Sequence, residues 1–184
     1  GSGGADTISG GAGNDIITGG SGNDIITIDV GTDKVLDLGG SGSGGESDVV
    51  VIEANATLTA TGVISFTATG DTTNKSTGAA NATLTAKANT AVTIDVSGAK
   101  SDSKGFTLEG RLGTGNDIMT GGGGVDIITG GAEMDTITGS GGADTISGGA
   151  GNDIITGGSG NDIITIDVGT DKVLDLGGSG SGGE

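Results

Sequence analysis

The C-terminal half of the chain repeats one pattern of apolar and polar positions every nine residues. Reading from Leu112 gives LGTGNDIMT, GGGGVDIIT, GGAEMDTIT, GSGGADTIS, GGAGNDIIT and GGSGNDIIT, followed by the divergent IDVGTDKVL. Positions seven to nine alternate about a central large apolar residue, which is the period of a short β-strand. The eighth positions are therefore predicted to fill one narrow apolar column: Met119, Ile128, Ile137, Ile146, Ile155 and Ile164.

Residues 47–111 alternate in a different way. The stretches SDVVVIE, ATLTAT, VISFTAT, NATLTAK, AVTIDV and GFTLE alternate small or polar with apolar residues and predict six short strands. The intervening GDTTNKSTG is predicted to be a surface loop because of its turn-forming residues. The whole chain has two Phe, so a sandwich core would be thin. An irregular β-solenoid and a small β-sandwich both remain compatible with this segment.

The N-terminal residues duplicate the C-terminal ones. Residues 1–46 are identical to residues 139–184, an offset of 138 (139 − 1). Fixed-period identity is typical of arrays and solenoids. We therefore expect the chain to be a window on a tandem array of 138-residue units. The expected parts are a partial roll over 1–36 with a Gly/Ser linker to residue 46, a β segment over 47–111, a roll over 112–174 and a Gly/Ser-rich linker over 175–184.

Composition and charge restrict the classes of function. The 24 acidic and 7 basic residues give a net charge of −17, which argues against nucleic acid and anionic membrane as partners. No apolar run is long enough for a membrane span, so membrane insertion is not expected. The chain has no His and no Cys to act as a base or nucleophile, so we expect no enzyme. Self-repulsion of this size instead calls for a cationic partner such as metal ions.

Glycine and aspartate hold fixed places in the nonapeptide. Gly at positions one, two and four permits positive φ, so the chain can turn tightly with converging carbonyl groups. Asp at position six adds a carboxylate beside those carbonyls. Carbonyl and carboxylate oxygens are the ligands that Ca²⁺ prefers.

The resulting pattern G-G-x-G-x-D-x-U-x, with U a large apolar residue, resembles the RTX (repeats-in-toxin) family over residues 112–174 and 1–36. The resemblance implies an all-β fold, a parallel β-roll or β-solenoid with two nonapeptides per coil. It also implies several Ca²⁺ ions between coils, along two edges. The implied ligands are Asp117, Asp135, Asp153 and Asp171 on one edge, Asp126, Asp144 and Asp162 on the other, and, in the first copy, Asp6 with Asp24 and Asp15 with Asp33.

Three positions depart from the pattern. Glu133 replaces the Gly at position four, Ser140 replaces the second Gly, and the nonapeptide beginning at Ile166 lacks both leading Gly residues. Glu133 either strains its turn or adds a carboxylate to the edge between Asp117 and Asp135. The sequence leaves both readings open.

The features together favour a structural role. We expect a calcium-stabilised repeat of an extracellular stalk, surface layer or filament that folds on export into calcium. The alternative is the carboxy-terminal secretion and folding domain of an exported hydrolase or toxin, which the resemblance also implies. Self-association is a further expectation, because Ile118, Ile127, Ile154 and Ile163 stand at the outward position seven.

Overall fold

A computed structural model of the 184-residue chain describes residues 1–36, 38, 48–63, 65–76, 82–87, 90–100, 104–110 and 115–175. The described residues form 18 short strands. The first nine are β1 Thr7–Ser9, β2 Ile16–Ile17, β3 Ile25–Ile28, β4 Gly31–Val35, β5 Val49–Ile52, β6 Ala56–Val63, β7 Ser65–Thr67, β8 Thr73–Asn74 and β9 Ala82–Ala86. The others are β10 Thr93–Asp95, β11 Thr107–Glu109, β12 Ile118–Thr120, β13 Ile127–Ala132, β14 Thr136–Gly141, β15 Thr145–Ala150, β16 Ile154–Ser159, β17 Ile163–Thr165 and β18 Lys172–Asp175.

These strands form three parallel sheets wound as a β-solenoid, which confirms the predicted fold class. An eight-stranded sheet runs β17-β15-β13-β11-β9-β6-β4-β2. The strands that alternate with it along the chain form a four-stranded sheet, β1-β3-β5-β8, and a six-stranded sheet, β18-β16-β14-β12-β10-β7. In the part of the chain that the structure describes, no helix is long and apolar enough to cross a membrane.

Coil length distinguishes the nonapeptides from the middle segment. In the nonapeptides each residue pairs with the one 18 positions later, as Thr7 does with Ile25 and Ile118 with Thr136. The middle coils are longer: Thr107 pairs with Ile127, 20 positions on (127 − 107), and Ser65 with Thr93, 28 positions on (93 − 65). The solenoid therefore widens between two regular regions, where the eight-stranded sheet continues and the four-stranded and six-stranded sheets end at β8 and β7.

One apolar core runs through the solenoid. The predicted column is buried from Met119 to Ile155, and Ile164 packs partly buried against it. The largest side chains of the core, Phe66 and Phe106, come from the wider middle coils. Leu38, within the predicted Gly/Ser linker, is also buried. Apart from Leu38 and Asp175, the predicted linkers lie outside the described residues.

The middle segment is a solenoid, not a separate sandwich. Its strands β6, β9 and β11 continue the eight-stranded sheet directly into the roll strand β13. The two ATLTA stretches are adjacent strands, but Leu58 pairs with Ala82 and Ala60 with Leu84. This shift by two residues keeps the same side chains facing inward, because alternation along a strand has a period of two.

The prediction of a surface loop at GDTTNKSTG was wrong for its central residues. Thr72, Thr73, Asn74 and Ser76 are buried, and Thr73 and Asn74 form β8. Asn74 Nδ2 donates to the Gly105 carbonyl, and Asn74 Oδ1 accepts from the Ser76 hydroxyl at 2.6 Å and from its N–H at 3.0 Å. Turn-forming residues can occupy an interior when their polar atoms bond one another in this way.

The two identical copies lie on opposite sides of the core. Strands β1 and β3 belong to the four-stranded sheet, whereas their counterparts, β15 and β17, belong to the eight-stranded sheet. The reverse exchange holds for β2 and β4, whose counterparts are β16 and β18. Equivalent strands of the two copies, 138 residues apart, are therefore separated by an odd number of half-coils.

Candidate metal sites

Two rows of aspartates follow the edges of the roll, as the 18-residue register requires. The backbone N–H of each aspartate donates to Oδ1 of the aspartate one coil later. In one row Asp117 donates to Asp135 at 2.7 Å, Asp135 to Asp153 at 2.8 Å and Asp153 to Asp171 at 3.1 Å. In the other row Asp126 donates to Asp144 at 2.8 Å and Asp144 to Asp162 at 2.9 Å.

The first copy repeats this arrangement and extends it. Asp6 donates to Asp24 at 2.9 Å and Asp15 to Asp33 at 3.0 Å. The Asp24 N–H then donates to Oδ1 of the buried Asp48 at 3.0 Å. Sequence reasoning missed Asp48 because it lies 24 residues (48 − 24) beyond Asp24, outside the nonapeptide period. The sequence feature that could have indicated Asp48 is its place directly before an apolar strand, as for the aspartates of the nonapeptides.

The second carboxylate oxygen of most of these aspartates has no protein partner. Among the described residues, Oδ2 is buried without a hydrogen-bond donor in Asp6, Asp15, Asp24, Asp33, Asp135, Asp144, Asp153, Asp162 and Asp171. Asp126 differs, since its Oδ2 accepts from the Gly122 N–H at 2.7 Å. A buried anionic oxygen without a partner is costly, by several kcal/mol in typical cases. Rows of such oxygens fit a cation.

The Gly at position one is required by space, not by φ. A Cβ at Gly130 would lie 2.5 Å from Asp135 Oδ2 and 2.3 Å from the Gly148 carbonyl oxygen. A Cβ at Gly139 would lie 2.5 Å from Asp144 Oδ2 and 2.4 Å from the Gly157 carbonyl oxygen. Positive φ is found instead at positions two and four, as in Gly149 and Gly151. Position one is therefore where a carboxylate and a carbonyl oxygen converge, a hard-oxygen donor set that suits Ca²⁺.

Burial and like charge disfavour ionisation of these aspartates in the metal-free chain. The pKa of Asp135 is raised to about 7, mainly by desolvation and in smaller part by the neighbouring carboxylates of Asp117, Asp153 and Glu133. Desolvation likewise raises the pKa of Asp144 to about 7 and that of Asp126 to about 6. The rows thus carry charge at neutral pH only at a free-energy cost, which a bound cation offsets.

Glu133 strains its turn, which is one of the two alternatives left open by the sequence. Its φ of 77° lies in the left-handed region, which strains a residue with a Cβ. Its charge also raises the pKa of Asp135. Ser140 has the same φ of 77°.

Asp167 is a further acidic residue that sequence reasoning missed. Carboxylate oxygens of Asp153, Asp167 and Asp171 lie within 4.8 Å of one another. Asp167 Oδ2 accepts from the Ser147 hydroxyl at 3.2 Å and from the Gly149 N–H at 3.1 Å. The sequence signal for Asp167 is an aspartate at position two of a nonapeptide, the one beginning at Ile166, that has lost its Gly pair.

Comparison with known proteins identifies the nonapeptides. The model of the RTX calcium-binding nonapeptide repeat matches in four copies, over residues 1–35, 111–133 and 129–164. Searches of curated proteins and of solved structures returned no match.

The raised pKa values predict how pH affects the calcium-free chain. The folded state holds protons that the unfolded state releases above about pH 4, so stability present at low pH is lost as pH rises toward about 7. In calcium-free buffer, thermal melts followed by circular dichroism should therefore give a higher melting temperature at pH 5 than at pH 8. With Ca²⁺ the order should reverse, because protons compete for the carboxylates. A calcium-free melting temperature that rises with pH would contradict the assignment.

Glu133→Gly is predicted to stabilise the chain. The substitution removes the left-handed strain, about 1 kcal/mol, and one like charge near Asp135. Urea unfolding in Ca²⁺ should show a higher midpoint than the parent chain. Ala132→Gly is the control, since a neighbouring glycine without that strain should not stabilise. An unchanged or lower midpoint for Glu133→Gly would show that its carboxylate contributes to the site.

Proposed function

We propose that this chain, whose nonapeptides are RTX calcium-binding repeats, is a calcium-stabilised structural unit of a secreted or cell-surface protein. The observation that carries the proposal is the stacking of buried Oδ2 atoms without donors along two edges of one continuous core. Bound cations would satisfy these oxygens and cancel the repulsion between coils. Calcium is then part of the fold.

An extended assembly is the form that the unit supports best. The identical copies at 1–46 and 139–184 are joined through the continuous eight-stranded sheet, so that units would add length to the same solenoid. Such growth suits a stalk, surface layer or filament outside the cell. Proteins with RTX repeats are typically extracellular, where calcium modules bind with dissociation constants of about 10⁻⁴ to 10⁻³ M. In the calcium-poor cytoplasm the aspartates would be charged and the roll unfolded, and the chain would fold once it is exported into calcium.

No catalytic role is proposed. The chain has no His or Cys, and its strongly perturbed carboxylates belong to the two edge rows. In this proposal, these carboxylates bind ions between coils.

Calcium-dependent folding is the direct test. At pH 8, circular dichroism should show less β structure without Ca²⁺, because the charged roll is destabilised, and a cooperative gain as Ca²⁺ is added, whereas Mg²⁺ should substitute poorly because it demands rigid octahedral geometry. Asp135→Asn should raise the Ca²⁺ midpoint about tenfold, since it removes a charged ligand from the middle of a row. Asp71→Asn, at an exposed position outside the rows, is the matched control. A melt that chelator leaves unchanged would refute the proposal.

Lateral contact between neighbouring copies is the second part of the proposal. Ile118, Ile127 and Ile163 are 50%, 38% and 65% exposed, and Ile154 is half-buried. They alternate with Thr136 and Thr145 along the outer faces of the six- and eight-stranded sheets. Apolar residues on two outer faces would let one solenoid contact copies on both sides.

Replacing these four isoleucines by Thr should abolish lateral association and leave the fold intact. Thr is already present at equivalent positions and keeps high strand propensity. Sedimentation in Ca²⁺ should change from concentration-dependent to monomeric, while the circular dichroism melt shifts little. Association that persists in the quadruple variant would exclude these faces as the contact.

A further inference from the structure

Identical residues in the two copies differ in burial. Ile28 is 0% exposed, whereas its counterpart Ile166 is 54% exposed. Ile26 is fully buried and Ile164 only partly buried. Since the two sequences are the same, the difference arises from what packs against each copy.

In the first copy, residues 48–63 provide the covering. Strand β5 pairs with β3 from Ile25 with Val49 to Ile28 with Ile52. Strand β6 pairs with β4 from Gly31 with Ala56 to Val35 with Ala60. The inward side chains of this segment are buried in the common core: Val50, Ile52, Ala56, Leu58 and Ala60.

The covering segment also continues one aspartate row. Asp48 accepts the Asp24 N–H, and Asp24 is 1% exposed. Asp162, the counterpart of Asp24, accepts the Asp144 N–H in the same way but is only half-buried. The second copy therefore presents the same row and the same apolar residues at an edge that is more exposed.

We infer that the edge formed by β17 and β18 is a docking surface for a further copy of residues 48–63, supplied by a unit that follows Glu184 in the same array. The two strands are terminal in their sheets among the described residues, and a terminal strand offers unpaired backbone groups to another strand. The counterparts of β17 and β18 already hold this segment in a defined register. The inference extends the proposed tandem assembly, and it names the contact by which units join.

The added unit would be turned by half a revolution about the solenoid axis. Strand β3, which receives β5, lies in the four-stranded sheet, but its counterpart β17 lies in the eight-stranded sheet. A docked copy of β5 would therefore extend the eight-stranded sheet, and a copy of β6 would extend the six-stranded sheet. Every surface feature of one unit would appear on the opposite side in the next.

Cysteine reactivity tests the docking, because the chain has no native Cys. Ile166→Cys and Ile28→Cys place a thiol at matched positions. In the 184-residue chain with Ca²⁺, Cys at 166 should react with a maleimide at least about tenfold faster than Cys at 28, because the latter requires local opening. When the chain is extended after Glu184 by a second copy of residues 47–111, reaction at 166 should slow to the rate at 28. An extension with the same composition in scrambled order should give no protection.

A second measurement does not depend on a buried substitution. Thr27→Cys with Val51→Cys joins a paired position in the first copy and should form a disulfide, since paired strand residues suit its Cα spacing. In the extended chain, Thr165→Cys should form the equivalent disulfide with Cys at position 51 of the added copy. Absence of that disulfide, together with fast reaction at 166 in an extended chain that is folded in Ca²⁺, would overturn the docking inference. If the extension protects position 166 equally with and without Ca²⁺, the docking stands and the calcium-dependent function fails.

Discussion

The hydrogen bond from each aspartate N–H to the aspartate carboxylate one coil later is the interaction on which the roll depends. It fixes the 18-residue register, because only that spacing brings Asp117, Asp135 and Asp153 into one row. It also directs Oδ1 along the edge and leaves Oδ2 of most of these aspartates buried without a donor. The same contact that joins the coils therefore concentrates negative charge in a desolvated place. This one hydrogen bond therefore sets the 18-residue register and also creates the buried carboxylate oxygens that require a cation.

Space around the carboxylate explains the composition of the nonapeptide. Position one of the regular nonapeptides favours Gly because an oxygen occupies the volume of its Cβ, and positions two and four favour Gly because the turn has positive φ. A Cβ would also meet a carbonyl oxygen of the preceding coil at Gly149, at 2.1 Å, and at Gly151, at 1.6 Å, whereas Glu133 and Ser140 adopt positive φ with a Cβ present. Position one keeps its Gly in both of those nonapeptides, at Gly130 and Gly139. Space and backbone conformation therefore both favour Gly in the nonapeptide.

Periodicity determined how much of the structure could be predicted. The apolar column and the aspartate rows followed from the nonapeptide because its spacing is constant. The middle segment has coils of unequal length, so its strands could be predicted but not its partners. Asp48 could not be predicted as part of a row because its coil is longer, and Asp167 could not because its nonapeptide had diverged. The buried Asn74 was misread because its interior hydrogen bonds join residues distant in sequence, such as Gly105.

The middle segment and the roll are held together by different forces. Between Asp48 and the row that starts at Asp117, the wide coils bury Phe66 and Phe106 and the hydrogen-bonded Asn74, where the nonapeptides bury carboxylates. Apolar burial requires no ion, whereas a row of desolvated carboxylates does. Both aspartate rows start on the ion-independent coils: the Val92 N–H donates to Asp117 and the Phe106 N–H donates to Asp126. These coils thus provide the surface against which the first charged coils pack. In the proposed array, alternation of the two kinds of coil would let calcium control stiffness without having to create every part of the core.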